Sequence, residues 1–324
     1  MVTGFLGSGK TTLINRLLRA SEAADAAVIV NEYGDIGIDN DLIEKIDGNV
    51  TLLKSGCVCC TVQDELSLTM HDLMLRRERG EIPRFRRMVV ETTGLADPGP
   101  IAHRLLAEPS VATYYSLASV VTTVDCVNGA VTLERHAESV RQVALADRLV
   151  LTKADMAEPG ARDSLVERLV AMNPNASIAS TSDDQLDSGI LASTLTGPMS
   201  DPANLSAWIG PDIHQHDDEA GHLTGSSIHT FSLVRETPMS WPQVSRLLAL
   251  LGREDGDSLL RVKGIINVGD QSGPAVIHGV QRIIHLPRML SEWPTDDRRT
   301  RIVFITDGLD RQRIADLFES ACAA

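Results

Sequence analysis

The sequence predicts an α/β fold: a mostly parallel sheet in the amino-terminal half, followed by a smaller α+β domain. Three observations predict it. Short apolar runs alternate with helical patterns through the first half of the chain. A stretch rich in Gly, Pro, Ser and Asp, from about Asp187 to Ser227, then breaks the pattern and reads as a linker. Beyond it, strand-like runs follow one another with few helices between them.

In chain order, the expected strands of the first part are Ala26–Asn31, Val50–Leu53, Arg87–Glu91, Val120–Asp125, Leu149–Thr152 and Ser177–Ala179. The expected helices are Gly9–Ala20, Asp64–Arg79, Pro98–Ala107, Ala130–Ala144 and Gly160–Met172. The strands are apolar throughout, which implies a sheet covered on both faces. Pro98 suits the first turn of a helix. In the second part, strands are expected at Ile228–Val234, Leu259–Val268, Ala275–His285 and Arg301–Ile305. Helices are expected at Ser240–Leu251, with Ser240 as the N-cap, and at Asp310–Cys322. The resulting division is 1–190, a linker at 191–227, and 228–324.

Composition narrows the function. The 324 residues, 43% of them hydrophobic, suffice for about two domains at the usual ~150 residues each. Thirty basic residues against 44 acidic ones give a net charge of −14. Such a surface repels phosphate backbones and anionic lipid, so nucleic acid and membrane are excluded as general partners. No apolar run reaches the ~18 residues of a membrane span, and the first residues carry no signal-peptide pattern. Three of the five cysteines, Cys57, Cys59 and Cys60, fall within four positions. An odd, bunched set fits a reducing compartment, so a cytoplasmic location is expected.

Gly4-Phe5-Leu6-Gly7-Ser8-Gly9-Lys10-Thr11 satisfies G-x-x-x-x-G-K-[ST]. Gly4, Gly7 and Gly9 let backbone N–H groups turn inward around phosphate oxygens, with Ser8 and Thr12 in the same wrap. The helix beginning near Gly9 adds its positive end. Lys10 reaches the outer phosphates, and the Thr11 hydroxyl is a Mg²⁺ ligand. Only Met1, Val2 and Thr3 precede Gly4. The strand that should feed this loop is therefore expected to be missing, and the working chain to start upstream.

Met88–Gly94 is an apolar strand ending in Glu91, with Gly94 three residues later. That spacing suits an acid holding Mg²⁺ or its water and a glycine sensing the γ-phosphate. Leu149–Asp155 is a strand ending in Thr152-Lys153-Ala154-Asp155, a T-K-x-D segment. In the N-K-x-D pattern the Asp accepts hydrogen bonds from guanine's imino and amino groups, and the Lys stem packs over the ring. Asp155 thus favours GTP over ATP. Thr152 is shorter than Asn and forgoes a contact. Asn31–Asp39 has two glycines and three acids, which suits either a mobile loop near Mg²⁺ or an ordinary acidic turn.

Gly56-Cys57-Val58-Cys59-Cys60 follows an expected strand end, where ligands gather in parallel sheets. Three close thiols can hold a soft or borderline metal, Zn²⁺ or Co²⁺. Three ligands leave a position open, which suits a metal that must be released; Glu32 or a His could complete the shell. A Cys57/Cys60 redox pair and buried structural thiols are the alternatives. His214, His216 and His222, near Asp217, Asp218 and Glu219, are either a loose metal trap or a solvated linker.

Taken in order, GFLGSGKTTL, NEYGDIGID, SGCVCC, VVETTGLADPGPI and LTKAD resemble the CobW-type metallochaperone GTPases. The segments Leu260–Gly264 and His278–Arg282, Trp293 and Val303–Ile305 resemble that family's carboxy-terminal domain. The resemblance implies a P-loop GTPase domain followed by the CobW α+β domain. It also implies nucleotide-dependent metal binding at the C-x-C-C segment and release of the metal to a client metalloprotein on hydrolysis. Lys10, Thr11, Glu91, Lys153, Asp155, Cys57, Cys59 and Cys60 fall on the family's motifs. Intrinsic turnover is expected to be slow without a partner. A homodimer is compatible with this reading. So are a P-loop NTPase with structural cysteines and a GTP-binding adaptor or metal buffer that scarcely turns over.

Overall fold

Strand β1, Val2–Gly4, lies inside a parallel sheet despite its three residues. The computed structural model describes residues 1–19, 25–30, 62–183, 186, 227–253, 258–281 and 283–323. β1 pairs in parallel with β3 (Arg87–Glu91) on one side and β4 (Val121–Asp125) on the other. The strand expected to be missing is therefore formed by the residues present. Val2 is 3% exposed and packs in the core, and the Thr92 N–H donates to its carbonyl at 3.0 Å.

Among the described residues this sheet has the order β2-β3-β1-β4-β5-β6, with β2 at Ala26–Val30, β5 at Arg148–Thr152 and β6 at Ser177–Ser180. Alternation along β2 shows how it is covered. Val28 and Val30 point to the cluster that holds Leu13, Ile14 and Leu17 of helix α1 (Lys10–Arg19). Ala27 and Ile29 point the other way, to Met70 and Leu73 of α2 (Val62–Glu78) and to Ile101 and Leu105 of α3 (Pro98–Ala107). Helices on both faces are what uniformly apolar parallel strands require. A short helix α4 (Pro109–Ala112) follows α3.

The expected helix Ala130–Ala144 is two helices, α5 (Gly129–Arg135) and α6 (Ala137–Leu145). His136 between them is extended, with φ −131° and ψ 108°. The Ser139 hydroxyl donates to the carbonyls of His136, at 2.7 Å, and Thr132, at 3.1 Å, satisfying groups that the break frees. The last helix of this part, α7, is Ala161–Met172.

The described residues cluster in two compact units, one holding 1–142, 146–165, 178–183 and 186, the other 143–145, 166–177 and 227–323. In the second, an antiparallel sheet runs β10-β9-β8-β12-β7: β7 is Ile228–Arg235, β8 Leu259–Ile266, β9 Ala275–Val280, β10 Ile283–Ile284 and β12 Thr300–Asp307. β11, Arg288–Met289, pairs with β9. The expected single strand Ala275–His285 is a hairpin instead, because Gln281 turns at φ 51°. Helices α8 (Trp241–Leu251) and α9 (Arg311–Cys322) pack on one apolar face. Ser240 is the N-cap of α8, in a capping box with Gln243, and Asp310 caps α9.

Candidate nucleotide site

Four parallel strands end at the same edge of the first sheet, and each delivers a polar group there. β1 runs into the glycine loop. β3 ends in Glu91, β4 in Asp125 and β5 in Thr152. Open parallel sheets gather ligands at this edge.

The loop from Gly4 to Thr11 is fixed by hydroxyls of neighbouring strands. The Ser8 and Thr123 hydroxyls share a hydrogen bond of 2.7 Å, and the Thr152 hydroxyl donates to the Ser8 carbonyl at 2.8 Å. Gly4 has φ 142°, and a side chain there would lie 2.6 Å from the Thr123 carbonyl, so only glycine fits. Lys10 is nearly buried, and its ammonium donates to the carbonyls of Gly4 at 2.9 Å and Phe5 at 3.2 Å. The cation is thereby kept at the loop, on the first turn of α1. Gly7 and Thr12 are exposed at the same mouth.

The Thr11 hydroxyl donates to the Glu91 carboxylate at 3.0 Å. Glu91 is 4% exposed. Two hard oxygen groups, 80 residues apart in sequence, are thus side by side next to Lys10. After Glu91, the Thr92 hydroxyl donates to that of Thr3 at 2.8 Å, tying this segment back to β1. Gly94 is pressed against the phosphate loop: a side chain there would come within 2.6 Å of the Leu6 nitrogen.

Lys153 takes the left-handed conformation, φ 55°. Its ammonium donates to the Gly7 carbonyl and to Asp125, each at 2.8 Å. Asp155 follows in a single 3₁₀ turn, Ala154–Met156, with its carboxylate exposed. Thr152 is buried with its hydroxyl on Ser8, so at this position the T-K-x-D segment has a tie to the phosphate loop.

Asp125 is a site residue that motif reading misses. Besides Lys153, it accepts from the backbone N–H groups of Val127 at 2.8 Å and Asn128 at 3.3 Å, and from the Asn128 amide at 3.1 Å. Burial pushes its pKa up, but the hydrogen bonds from Lys153, Asn128 and Val127 outweigh that and hold it below the usual carboxylate range. The available signal was an acid at the end of the expected apolar strand Val120–Asp125; the structure pairs it in register with Thr152.

Glu32, Cys57, Cys59 and Cys60 lie outside the described residues, as do the Asn31–Asp39 segment and His214, His216 and His222. Among the described residues, no three His, Cys, Asp or Glu side chains converge on a point that could hold a metal. Cys126 is buried and Cys322 half-buried, both as free thiols. No helix among the described residues is long and apolar enough to cross a membrane.

A glycine loop with Lys10 and Thr11, a carboxylate across from Thr11, and a T-K-x-D segment braced on the loop define a P-loop nucleotide-binding protein. Residues 1–180 match the family described as the CobW/HypB/UreG nucleotide-binding domain, and residues 228–322 match the cobalamin synthesis protein cobW C-terminal domain. The chain belongs to the CobW family. The zinc chaperone YjiA of Escherichia coli K12 is 31% identical over 318 residues, 98% of this chain and 96% of that protein. The zinc-regulated GTPase metalloprotein activator 1 of Schizosaccharomyces pombe is 30% identical over 91% of this chain and 77% of its own length. A crystal structure of Zn(II)-bound YjiA GTPase from E. coli matches with a TM-score of 0.72 at 27% identity, covering 99% of this chain and 97% of that one.

Proposed function

We propose that this protein is a GTP-driven zinc chaperone: it takes up Zn²⁺ at the C-x-C-C segment when GTP is bound and releases it to a client metalloprotein after hydrolysis. The chain is a GTPase. The observation that carries the nucleotide chemistry is the Thr11–Glu91 contact of 3.0 Å beside Lys10. Oxygen donors of this kind suit a hard divalent cation, and Thr11 and Glu91, the latter directly or through water, would hold Mg²⁺, which supplies positive charge against the phosphates. Lys10 neutralises the outer phosphates, Gly94 meets the γ-phosphate, and Lys153 and Asp155 read guanine. Water attacks the γ-phosphorus, the bond to the bridging oxygen breaks, and its electrons leave on GDP.

Zinc is the metal in the names of the relatives, one a zinc chaperone and one a zinc-regulated GTPase, which supports the Zn²⁺ reading over Co²⁺. Cys57, Cys59 and Cys60, with Glu32 as a further ligand, are the proposed cargo site. The proposed setting is the cytoplasm. The proposed division is 1–190 for the GTPase domain, 191–227 for the linker and 228–324 for the carboxy-terminal domain, and the family match beginning at residue 228 supports its second boundary.

The test is zinc affinity measured by competition with a chromophoric chelator, once with a non-hydrolysable GTP analogue and once with GDP. Tighter binding with the analogue is expected. Equal affinities overturn the switch, because a ligand without differential affinity shifts no equilibrium. Alongside it, Lys10→Ala should lose roughly 100-fold or more in single-turnover GTP hydrolysis. A parent protein that binds GTP but does not hydrolyse it, with or without zinc, would make it an adaptor or buffer instead.

A further inference from the structure

Helix α6 grips the segment that follows Glu91, and the grip has several independent parts. The Gln142 side chain is 1% exposed, and its amide donates to two carbonyls at once, Gly94 at 3.1 Å and Ala96 at 3.0 Å. Gln142 is itself fixed from behind, because its backbone carbonyl accepts from the Thr122 hydroxyl of β4 at 2.8 Å. One residue earlier, Arg141 pairs with Asp97 at 2.8 Å. Asp97 in turn accepts from the Gly99 N–H, at 2.9 Å, in the first turn of α3.

The gripped segment is a closed turn: the Ala96 N–H donates to the Thr93 carbonyl at 3.1 Å. On its far side, Gly94 lies against the Leu6 backbone of the phosphate loop. Just before α6, the His136 ring lies tilted against Phe5 of that same loop, with centroids 4.4 Å apart and planes at 33°. Residues 136–142 therefore fasten both the phosphate loop and the turn at Gly94. The same helix leads into β5, whose end carries Thr152 and Lys153.

We propose that Gln142 and Arg141 are positioning residues for GTP hydrolysis, latching the Gly94–Asp97 turn in the place from which it meets the γ-phosphate. The inference rests on the GTPase reading above and adds to it where control over the γ-phosphate segment resides. Gln142 and Arg141 hold the Gly94–Asp97 turn, so their effect falls on the step that involves the γ-phosphate. GDP, which lacks that group, does not depend on the latch. A displacement of a catalytic segment by even 1 Å can cost a large factor in rate.

The experiment measures single-turnover GTP hydrolysis and GDP affinity, by fluorescent-nucleotide titration, on the full chain. Gln142→Leu should slow hydrolysis about tenfold and Arg141→Ala at least about threefold, with GDP affinity within twofold of the parent. Arg141→Lys keeps the charge opposite Asp97 and should restore most of the rate. Arg141 is partly exposed, so its variants carry the test if Gln142→Leu does not fold. Rates within twofold of the parent, or faster, overturn the proposal. So does a loss of GDP affinity that matches the loss of rate, which would make both residues mere supports of the fold. The GTPase reading fails separately, if Lys10→Ala binds and hydrolyses GTP as the parent does.

Discussion

The carboxyl edge of the parallel sheet and the helix-covered face of the antiparallel sheet bury different kinds of side chain. In the parallel sheet, Thr3, Glu91, Thr92, Thr123, Asp125 and Thr152 are all buried, and they crowd the carboxyl ends of β1, β3, β4 and β5. In the antiparallel sheet, the helix-covered face is apolar: Phe231, Val262, Ile277, Ile302 and Phe304 lie under Val244 and Leu247 of α8 and Ile314 and Phe318 of α9. Buried polar groups need hydrogen-bond partners to be tolerated. Concentrating them at one edge makes that edge a rigid frame for loops. An apolar face has no such directional demand, so it contributes stability without chemistry. The comparison teaches that the first sheet carries the site and the second carries its own packing.

The strongest way to break that contrast is Phe304→Ala. Phe304 is fully buried, and its ring stacks on Phe231 with centroids 5.6 Å apart. The substitution should cost about 3–5 kcal/mol, read by denaturant unfolding of the second unit. GDP affinity should stay within twofold. A drop in affinity as large as the drop in stability would show that the apolar sheet shares in the site.

Asp125→Asn sharpens the contrast from the other side. It keeps a group that can accept the N–H bonds of Val127 and Asn128 but removes the charge facing Lys153. Charge-assisted hydrogen bonds are worth about 1.5–3 kcal/mol, and Lys153 is partly exposed, so the low end applies. GTP and GDP should each bind about tenfold more weakly, with the thermal midpoint nearly unchanged. Unaltered affinity would mean that the Lys153–Gly7 contact alone fixes the T-K-x-D segment.

Much of this site was legible in the chain because its parts are local. Gly4–Thr11, Glu91 with Gly94, and Thr152–Asp155 are contiguous motifs whose chemistry follows from spacing. Asp125 and Gln142 were not legible. Each acts on a residue tens of positions away, across neighbouring elements. Gln142 sits in no local pattern that marks chemistry, and Asp125 offers only an acid at a strand end, without the glycine three residues on that follows Glu91. The expected strand Val50–Leu53 lies outside the described residues; among those residues, the longer strands and helices were readable from apolar runs, and Ser240 from its place before a periodic stretch. The two breaks were not. His136 interrupts a good helical pattern, and its ring packs against Phe5, a contact no local rule contains. Gln281 interrupts a good strand pattern by turning at φ 51°, a conformation that side chains other than Gly, Asn and Asp rarely take. β1 was not readable because only three residues, Val2–Gly4, form it, too few to show a periodic pattern.

The smallest effect lies in the second unit, at its most perturbed surface acid. Arg299 donates to Asp297 through Nε at 3.0 Å and Nη2 at 2.9 Å, a two-point contact, and through its backbone N–H at 3.0 Å. The Arg299 side chain foremost, against a smaller opposing effect of burial, holds the Asp297 carboxyl down at about 2, from an ordinary 3.8. A depressed acid stabilises the folded state above its unfolded pKa, and that stability is lost as pH falls through the folded value. The window is therefore from about 4 down to about 2. Because the pair lies near the surface, its contribution at neutral pH should not exceed about 1 kcal/mol. Asp297→Asn should unfold slightly more easily than the parent at pH 7, and the gap should narrow as pH drops from 5 toward 3. The absence of a gap at every pH over that range would assign the stability to the shape of the turn, since the asparagine keeps the shape and loses only the charge.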